Sequence, residues 1–206
     1  MLYFFSYESL FGYISKTEIY LKKQPSVILI GGCSRTKKST LALKLSENFK
    51  AIDIMCNIVD LDSWIISIEK RKQNSAVIDR YDCDAIVVAV KDILRGDIVF
   101  PPLYDPVSRR RIAEKGEKFY FVKSGIIIVE GVIALALKEL VEIASIKIFS
   151  MVSDKVRLAS LMDFYVKTKG LSSEAAREII CSREKEEVPF IKRTSRYADL
   201  IFRSPL

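Results

Sequence analysis

The sequence predicts an α/β fold of three layers, in which helices cover both faces of a parallel sheet. Segments typical of strands and of helices alternate along the chain, as they do in parallel sheets with crossover helices. The strand segments are apolar throughout, which is typical of strands that are buried on both faces. With 206 residues, half of them hydrophobic, the chain has enough apolar material for one compact domain.

The individual elements follow from the spacing of apolar residues. Residues 26–32, SVILIGG, are a continuous apolar run that ends in glycines, so they predict a buried strand. Residues 38–49 follow with leucines at helical spacing, and a second helix over 84–96 stops at Gly96. We expect further strands at 57–63, 118–122, 125–131, 144–152 and 198–202, and further helices at 154–170 and 172–187.

Residues 1–24 precede this alternating pattern, and we expect them to form a helical extension packed on a domain of residues 25–206. The first fifteen residues, MLYFFSYESLFGYIS, are rich in aromatics but lack the basic start and cleavage site of a secretory signal. A helix on a membrane surface is the alternative, which Glu8 and the shortage of early basic residues disfavour. No apolar run reaches the roughly 20 residues that a membrane span needs, so we expect no membrane partner.

The sequence contains no histidine, which limits the chemistry that it can perform. Proton transfer near neutral pH then needs a carboxylate, a thiol, a lysine or water, and Ser-His-Asp catalysis is excluded. The four cysteines are scattered without the spacing of a metal or redox site, which favours a reducing cytoplasm.

The net charge of +7 permits nucleic-acid binding on its own. The basic residues, however, fall mainly in residues 109–111, in 70–72 and near the carboxyl end, without interleaved aromatics. A small anionic substrate explains that distribution about as well, so nucleic acid is the disfavoured partner.

The stretch VILIGGCSRTKKSTLAL predicts a nucleotide phosphate site. A strand runs into a glycine-rich turn, then a lysine, a hydroxyl and a helix, as the pattern GxxxxGK[ST] requires. Backbone amides and the positive end of the helix dipole would face the phosphates, and the hydroxyl of Ser39 would face Mg²⁺. The predicted nucleotide-binding residues are Gly32, Cys33, Ser34, Arg35, Thr36, Lys37, Lys38, Ser39 and Thr40.

The loop departs from the pattern at one position, where Lys37 replaces the usual glycine. A side chain there is strained by about 1 kcal/mol or more if the backbone needs a positive φ. We therefore expect a loop that still admits phosphate but with weakened affinity.

Six segments in the expected order resemble the uridine kinase and phosphoribulokinase family of P-loop kinases. These segments, which span residues 31–202, are GGCSRTKKSTLA, VDLDSW, YDCDAI, PPLYDPVSRRR, IIIVEG and RYADLIF. The resemblance implies a P-loop NTPase fold with a helical lid, and an ATP- and Mg²⁺-dependent kinase that phosphorylates a hydroxyl of a nucleoside, sugar or related small molecule.

The resemblance also implies roles for individual residues. Lys38 would hold phosphate, and Asp62 would take the proton of the acceptor hydroxyl and contact the metal, with Asp60 as the fallback. Glu130 would hold Mg²⁺ together with Ser39. The catalytic, substrate-binding and metal residues so implied are Asp62, Lys38 and Arg157; Asp84, Tyr104 and Arg109; and Ser39, Glu130 and Asp62.

Each of these roles has a structural alternative. Asp62 can cap a turn, Glu130 can form a structural salt bridge, and Asp84 can serve a helix N-terminus, a role that Asp82 can also fill. Tyr104 can equally be a partly buried loop tyrosine.

Two departures from the family pattern affect substrate and rate. Arg109 occupies a position where uridine kinases often have a histidine, and a guanidinium favours phosphate or carboxylate, so the acceptor can already be anionic. The lid retains Arg157 and Asp163 but has Met162 before that aspartate, with Lys167 and Lys169 as the available substitutes for lost arginines.

These departures leave a rival hypothesis, a degenerate family member with weak or no catalysis that acts as a nucleotide-binding or regulatory protein. A nucleic-acid-binding ATPase is a third hypothesis, which only the charge favours. The expected partners are a small-molecule substrate and a nucleoside triphosphate. Self-association is common in the family, and a homo-oligomer stays open.

Overall fold

The computed structural model describes residues 1–72 and 75–204. Six parallel strands form the main sheet, in the order β1-β8-β7-β2-β6-β3, and β4 and β5 form a separate antiparallel hairpin. The strands are β1 Leu2–Phe4, β2 Ser26–Gly31, β3 Cys56–Asp60, β4 Leu103–Asp105, β5 Arg110–Ala113, β6 Ile126–Glu130, β7 Ile146–Met151 and β8 Leu200–Arg203. The helices are α1 Tyr7–Ser15, α2 Lys38–Lys50, α3 Cys83–Arg95, α4 Lys138–Ile143, α5 Asp154–Asp163, α6 Ser173–Glu186 and α7 Val188–Thr194.

Strand β2 shows why its apolar run is continuous. All six of its residues are buried, and successive side chains enter two different cores. Val27 and Leu29 pack into the core that includes residues of α3 and α4. Ile28 and Ile30 pack into the core that includes residues of α1 and α2. Helices thus cover both faces of the sheet, and the predicted three-layer α/β fold is confirmed.

Helices α5 and α6 form a small helical unit with a core of its own. Leu161 and Tyr165 pack there against Ala176 and Ile180. Between the two helices, residues Phe164–Thr168 form one turn of π-helix. Single π turns of this kind are frequent at functional sites. The α5–α6 unit corresponds to the expected helical lid.

The amino-terminal extension differs in part from the prediction. Its helix is present as α1, which Ser6 caps by accepting a hydrogen bond from the amide of Ser9. The structure adds strand β1, which pairs with β8 at the edge of the sheet. Sequence reasoning missed this strand because three residues are too few to show a periodicity, although aromatic residues favour strands. The boundary between an extension of residues 1–24 and a domain of residues 25–206 stays a prediction.

The strand predicted over residues 118–122 was wrong. Only Tyr120 pairs there, in an isolated antiparallel bridge with Val99. The ring of Tyr120 is buried and stacks against Trp64. The apolar residues of this segment are therefore explained by burial against the core and not by membership of a strand in the sheet. Within the part of the chain that the structure describes, no helix is both long and apolar enough to cross a membrane.

Candidate active site

The loop between β2 and α2 is shaped by a close approach to strand β7. Gly32 has φ 142°, and a Cβ at this position would lie 2.3 Å from the carbonyl oxygen of Ser150. The hydroxyl of Ser150 donates a 2.6 Å hydrogen bond to the carbonyl of Thr36, whose own hydroxyl donates to the carbonyl of Cys33. Only glycine fits at position 32, and the loop is held from behind by buried polar contacts.

Lys37 adopts the left-handed conformation that its position in the pattern implies. Its φ is 60° and its ψ is 30°, and it immediately precedes the first residue of α2. The loop therefore keeps the backbone geometry of a phosphate site and places a residue with a Cβ where glycine is favoured. The side chain of Lys37 lines the cleft described below.

Lys38 is buried at the start of α2 with its ammonium group directed into the loop. Nζ donates a 3.0 Å hydrogen bond to the carbonyl of Cys33. Burial lowers the pKa of Lys38, while the charges of Glu130 and Asp62 oppose that shift. An ammonium group thus lies within the loop that precedes helix α2, which is where a phosphate loop places the lysine that binds polyphosphate.

Ser39 and Glu130 meet across two elements that are adjacent in space. The hydroxyl of Ser39 donates a 2.6 Å hydrogen bond to Oε1 of Glu130, which ends strand β6. Burial raises the pKa of Glu130, and the hydrogen bond from Ser39 and the charge of Lys38 counteract the shift. Hydroxyl and carboxylate oxygens are hard ligands that suit Mg²⁺, which in kinases also takes phosphate oxygens and water. The donor set therefore fits magnesium.

Asp60 ends strand β3 beside Glu130, and Asp62 lies in the turn that follows. Oδ1 of Asp60 accepts a 2.9 Å hydrogen bond from the amide of Asp62 and so caps the turn Leu61–Trp64. Burial, and then the charges of Asp62 and Glu130, raise the pKa of Asp60 to about 7. Asp62 itself is exposed, and its Oδ1 accepts a 3.1 Å hydrogen bond from the hydroxyl of Tyr81. Asp60 thus caps the turn and is partly buried, whereas Asp62 is exposed, and both line the cleft described below.

These groups line one large cleft of about 1460 Å³. The loop and the three carboxylates form one part of its wall, and the β4–β5 hairpin contributes Tyr104 and Arg109. Nη2 of Arg71 donates a 3.0 Å hydrogen bond to the hydroxyl of Tyr104. Arg109 has φ 61°, and its carbonyl accepts a hydrogen bond from the amide of Ile68. The cleft is large enough for a nucleotide and an acceptor together.

The lid contacts the phosphate loop through an aromatic ring. The guanidinium of Arg35 lies 4.1 Å from the centroid of Phe164, in the π turn between α5 and α6. Nζ of Lys169 lies 5.5 Å from the same ring centroid. Loop and lid are therefore coupled by a cation–π contact in this form of the protein.

The structure brings most of the predicted site residues together. The predicted residues that line the cleft are Ser34, Arg35, Lys37, Lys38, Ser39, Thr40, Asp62, Tyr104, Arg109 and Glu130. Gly32, Cys33 and Thr36 are buried in the loop and contribute backbone to its shape.

Asp84 and Arg157 also lie outside the cleft lining. Asp84 is exposed on the first turn of α3, where Asp82 takes the N-cap position by accepting from the amide of Ala85. Arg157 is buried and its guanidinium pairs with Asp154 and Glu184. The roles of Asp84 in acceptor binding and of Arg157 in catalysis stay predictions.

Three residues that sequence reasoning missed also belong to the site. Arg71 lies in a basic run that reads as surface charge, and Tyr81 has no local pattern that marks it as a partner of Asp62. Arg80 lines the cleft and pairs with Glu187, a contact between residues more than a hundred positions apart. Such long-range partners carry no local sequence signal.

Comparisons with known proteins agree with this geometry. The model of the Phosphoribulokinase / Uridine kinase family matches residues 27–205. A uridine kinase of Clostridium novyi is 29% identical over 185 residues, which is 86% of either chain. A uridine kinase of Clostridium tetani is 28% identical over 189 residues, which is 88% of either chain.

Solved structures support the fold. A crystal structure from Silicibacter sp. TM1040 superimposes with a TM-score of 0.76 at 17% identity, covering 96% of this chain and 99% of the other. D-glycerate 3-kinase of Cryptococcus neoformans gives a TM-score of 0.61 at 13% identity, covering 90% and 87%. At these identities the likeness concerns the fold alone. From the family match and the phosphate loop together, the chain belongs to the phosphoribulokinase and uridine kinase family of P-loop kinases and is a uridine kinase-like small-molecule kinase.

Proposed function

We propose that the protein transfers the γ-phosphoryl group of Mg²⁺-bound ATP to a hydroxyl group of a small molecule such as a nucleoside or sugar. The observation that carries the proposal is the grouping of Lys38, Ser39, Glu130 and Asp62 on one wall of the cleft. Phosphate ligand, metal ligands and an accessible carboxylate are the parts that phosphoryl transfer needs. The uridine kinases among its relatives support a hydroxyl acceptor.

The loop would bind the nucleotide. Its backbone amides and the ammonium of Lys38 would hold the β- and γ-phosphates, and the hydrogen bond from Nζ to the Cys33 carbonyl would be exchanged for one to phosphate. Ser39 and Glu130 would hold Mg²⁺, which neutralises charge on the phosphates. Arg35 of the loop would stay in contact with the lid, because its guanidinium packs on the ring of Phe164.

Asp62 would orient the acceptor hydroxyl and take its proton. It is exposed in the cleft, and the Tyr81 hydroxyl fixes one of its oxygens and leaves the other for the acceptor. Asp60 is less suited to this role, because it is partly buried and one of its oxygens holds the amide of Asp62. Tyr104 and Arg109 would form the acceptor end of the pocket.

The rival hypothesis of a nucleotide-binding protein without catalysis has one observation in its favour. Arg157 is paired inside the lid, so it stabilises no transferring group in this form. An assay of ADP release separates the two hypotheses, since a nucleotide-binding protein without catalysis would bind Mg²⁺-ATP and release no ADP with any acceptor.

The experiment has two stages. Thermal unfolding is first followed with ATP and Mg²⁺, with ATP alone, and with GTP and Mg²⁺, where saturation at about 100 Kd stabilises the fold by roughly 2.7 kcal/mol. ADP release is then measured with uridine, cytidine and ribose as acceptors. We expect a Mg²⁺-dependent shift that Lys38→Ala abolishes, and no shift with millimolar nucleotide would overturn the proposal.

A further inference from the structure

The acceptor end of the cleft carries positive charge that the proposed transfer of phosphate to a neutral hydroxyl does not use. Four cations from three separate segments line it: Arg71, Arg109, Lys169 and Arg183. Arg71 precedes α3, Arg109 lies in the β4–β5 turn, and the other two belong to the lid. Like charges repel, so such a grouping is unfavourable unless an anion joins it.

The electrostatics show that these cations are close enough to affect one another. Burial lowers the pKa of the Arg109 guanidinium, and the charges of Arg71 and Arg183 lower it further. Burial likewise lowers the pKa of Lys169, and Arg109 and Arg183 act in the same direction. Each group is thus more costly to keep charged here than in water, and an anion would reverse that cost.

Carboxylates among the described residues form an ion pair with only one of the four cations. Among residues 1–72 and 75–204, no carboxylate lies within salt-bridge distance of Arg71, Arg109 or Lys169, while Arg183 pairs with Glu187. Asp105 is the carboxylate that favours a charged Lys169, but its oxygens accept hydrogen bonds from the amides of Val107 and Ser108.

Lys169 is the most direct sign of a missing partner. Its Nζ is buried and makes no hydrogen bond within the described part of the chain. A buried ammonium with no acceptor is rare, and each such group calls for a ligand or ion. The Phe164 ring satisfies it only in part, through a contact of 5.5 Å to the centroid.

Arg71 is already positioned for binding. Its Nε donates a 2.7 Å hydrogen bond to the carbonyl of Ile66, and its Nη2 donates to the Tyr104 hydroxyl. The guanidinium is therefore fixed in orientation, and its Nη1 makes no hydrogen bond within the described residues. A fixed guanidinium fork suits the planar or tetrahedral oxygens of carboxylate and phosphate.

We infer that the acceptor carries an oxyanion group, a phosphate ester or a carboxylate, which Arg71, Arg109 and Lys169 bind on the side of the cleft that the β4–β5 hairpin and the lid form. The inference rests on the proposed kinase function, since it names the class of molecule that receives the phosphoryl group. It separates this chain from enzymes that act on neutral nucleosides.

The test measures anion binding without nucleotide, in a protein whose phosphate loop is disabled. Lys38→Met keeps the side-chain volume and removes the charge, so that an anion bound in the loop does not contribute. The probes are ribose 5-phosphate with neutral ribose as its match, and gluconate with neutral glucose. Calorimetry and thermal unfolding both report binding, and the two pairs separate phosphate from carboxylate.

We expect at least one anionic probe to bind and its neutral match to bind at least about tenfold more weakly. In the same background, Arg109→Gln and Lys169→Gln should each weaken the anionic probe at least about tenfold. The matched controls are Arg110→Gln, an exposed neighbour on the hairpin outside the cleft lining, and Lys185→Gln on the outer side of the lid. Both controls should leave probe affinity unchanged.

Three results would overturn the inference. Equal affinity for charged and neutral probes would show that no anion is recognised. If Arg110→Gln weakened binding of the anionic probe as much as Arg109→Gln does, the probe would be attracted by the general positive charge of the surface and not by a specific site. If Arg109→Gln in the otherwise native protein weakened Mg²⁺-ATP binding as strongly as it weakened the probe, the cations would serve the nucleotide. Failure of the kinase function itself is separate, because it appears as a missing response of the native protein to Mg²⁺-ATP.

Discussion

The hydroxyl of Ser39 lies 2.6 Å from Oε1 of Glu130, although 91 positions separate the two residues in the sequence. Ser39 lies in the first turn of helix α2 and Glu130 ends strand β6, so the contact joins the helix to the edge of the sheet. The hydrogen bond holds the carboxylate in place and favours its charged form, in opposition to burial.

This contact leads to a prediction for magnesium. Glu130→Gln and Ser39→Ala should each weaken the apparent affinity for Mg²⁺ in the presence of ATP by about tenfold or more, because each removes an oxygen ligand or its orienting partner. The measurement is a Mg²⁺ titration of ATP binding followed by thermal unfolding.

Glu47→Gln on the exposed side of α2 is the control for charge, since Glu47 pairs only with Lys44 in the described residues. A Mg²⁺ titration that was identical in the Glu130→Gln and native proteins would remove Glu130 from the metal site.

We expect the substitution Lys37→Gly to stabilise the protein. Its left-handed backbone costs a residue with a Cβ about 1 kcal/mol, so Lys37→Gly should raise the free energy of unfolding by about that amount. We also expect tighter nucleotide binding, because the loop then adopts its phosphate-binding geometry without strain. Urea denaturation and ATP titration measure the two effects.

Lys44→Gly is the matched control, since it makes the same change in the interior of helix α2. There glycine should lower the free energy of unfolding by about 1 kcal/mol. If both substitutions destabilised the protein alike, strain at Lys37 would be ruled out.

We expect substitutions of Asp62 and Tyr81 to lower the catalytic rate to different extents. Asp62→Asn should lower kcat by about a hundredfold or more with little change in nucleotide affinity, because a general base commonly contributes that much. Tyr81→Phe should lower kcat less, since it only releases one oxygen of the carboxylate. Steady-state kinetics with the identified acceptor measures both.

Asp60→Asn completes this comparison. Asp60 is partly buried and caps the turn that carries Asp62, so its substitution should mainly reduce stability. A full loss of kcat in Asp60→Asn, with Asp62→Asn active, would exchange the two roles.

Helix α1 predicts that the amino-terminal segment contributes to stability. Leu10 and Ile14 are fully buried in the core between this helix and the sheet, so Leu10→Ala should lower the free energy of unfolding by about 2–5 kcal/mol. Leu21→Ala, at a residue with 65% exposure, is the control and should change little. A negligible effect of Leu10→Ala would show that the extension is detachable.

The sequence was most informative where local pattern and tertiary structure agree. Strand β2, the loop and helix α2 were predictable because buried strands are apolar throughout and phosphate loops need a fixed spacing. Glu130 was predictable for a similar reason, since it ends an apolar strand at the edge where such sheets bind ligands.

The sequence was least informative where a contact joins distant segments. Tyr81 reaches Asp62 and Arg71 reaches Tyr104 only because the chain folds back on itself, and neither pair has a spacing that marks it. For Arg157 the resemblance implies a catalytic role. In the structure its guanidinium forms ion pairs with Asp154 and Glu184, which a single sequence does not reveal. Tertiary partners decide such positions, and a single sequence does not display them.

Strand β1 has a consequence for the order in which the protein is made. Its neighbour is β8, so that Leu2 pairs with Leu200, and the ring of Tyr7 packs against Phe202. A ribosome synthesises the first of these partners long before the second. Throughout translation the aromatic start of the chain therefore has no strand to join, and a prematurely terminated product keeps that surface uncovered. Strand β1 can therefore pair with β8 only after residues 200–203 have been synthesised.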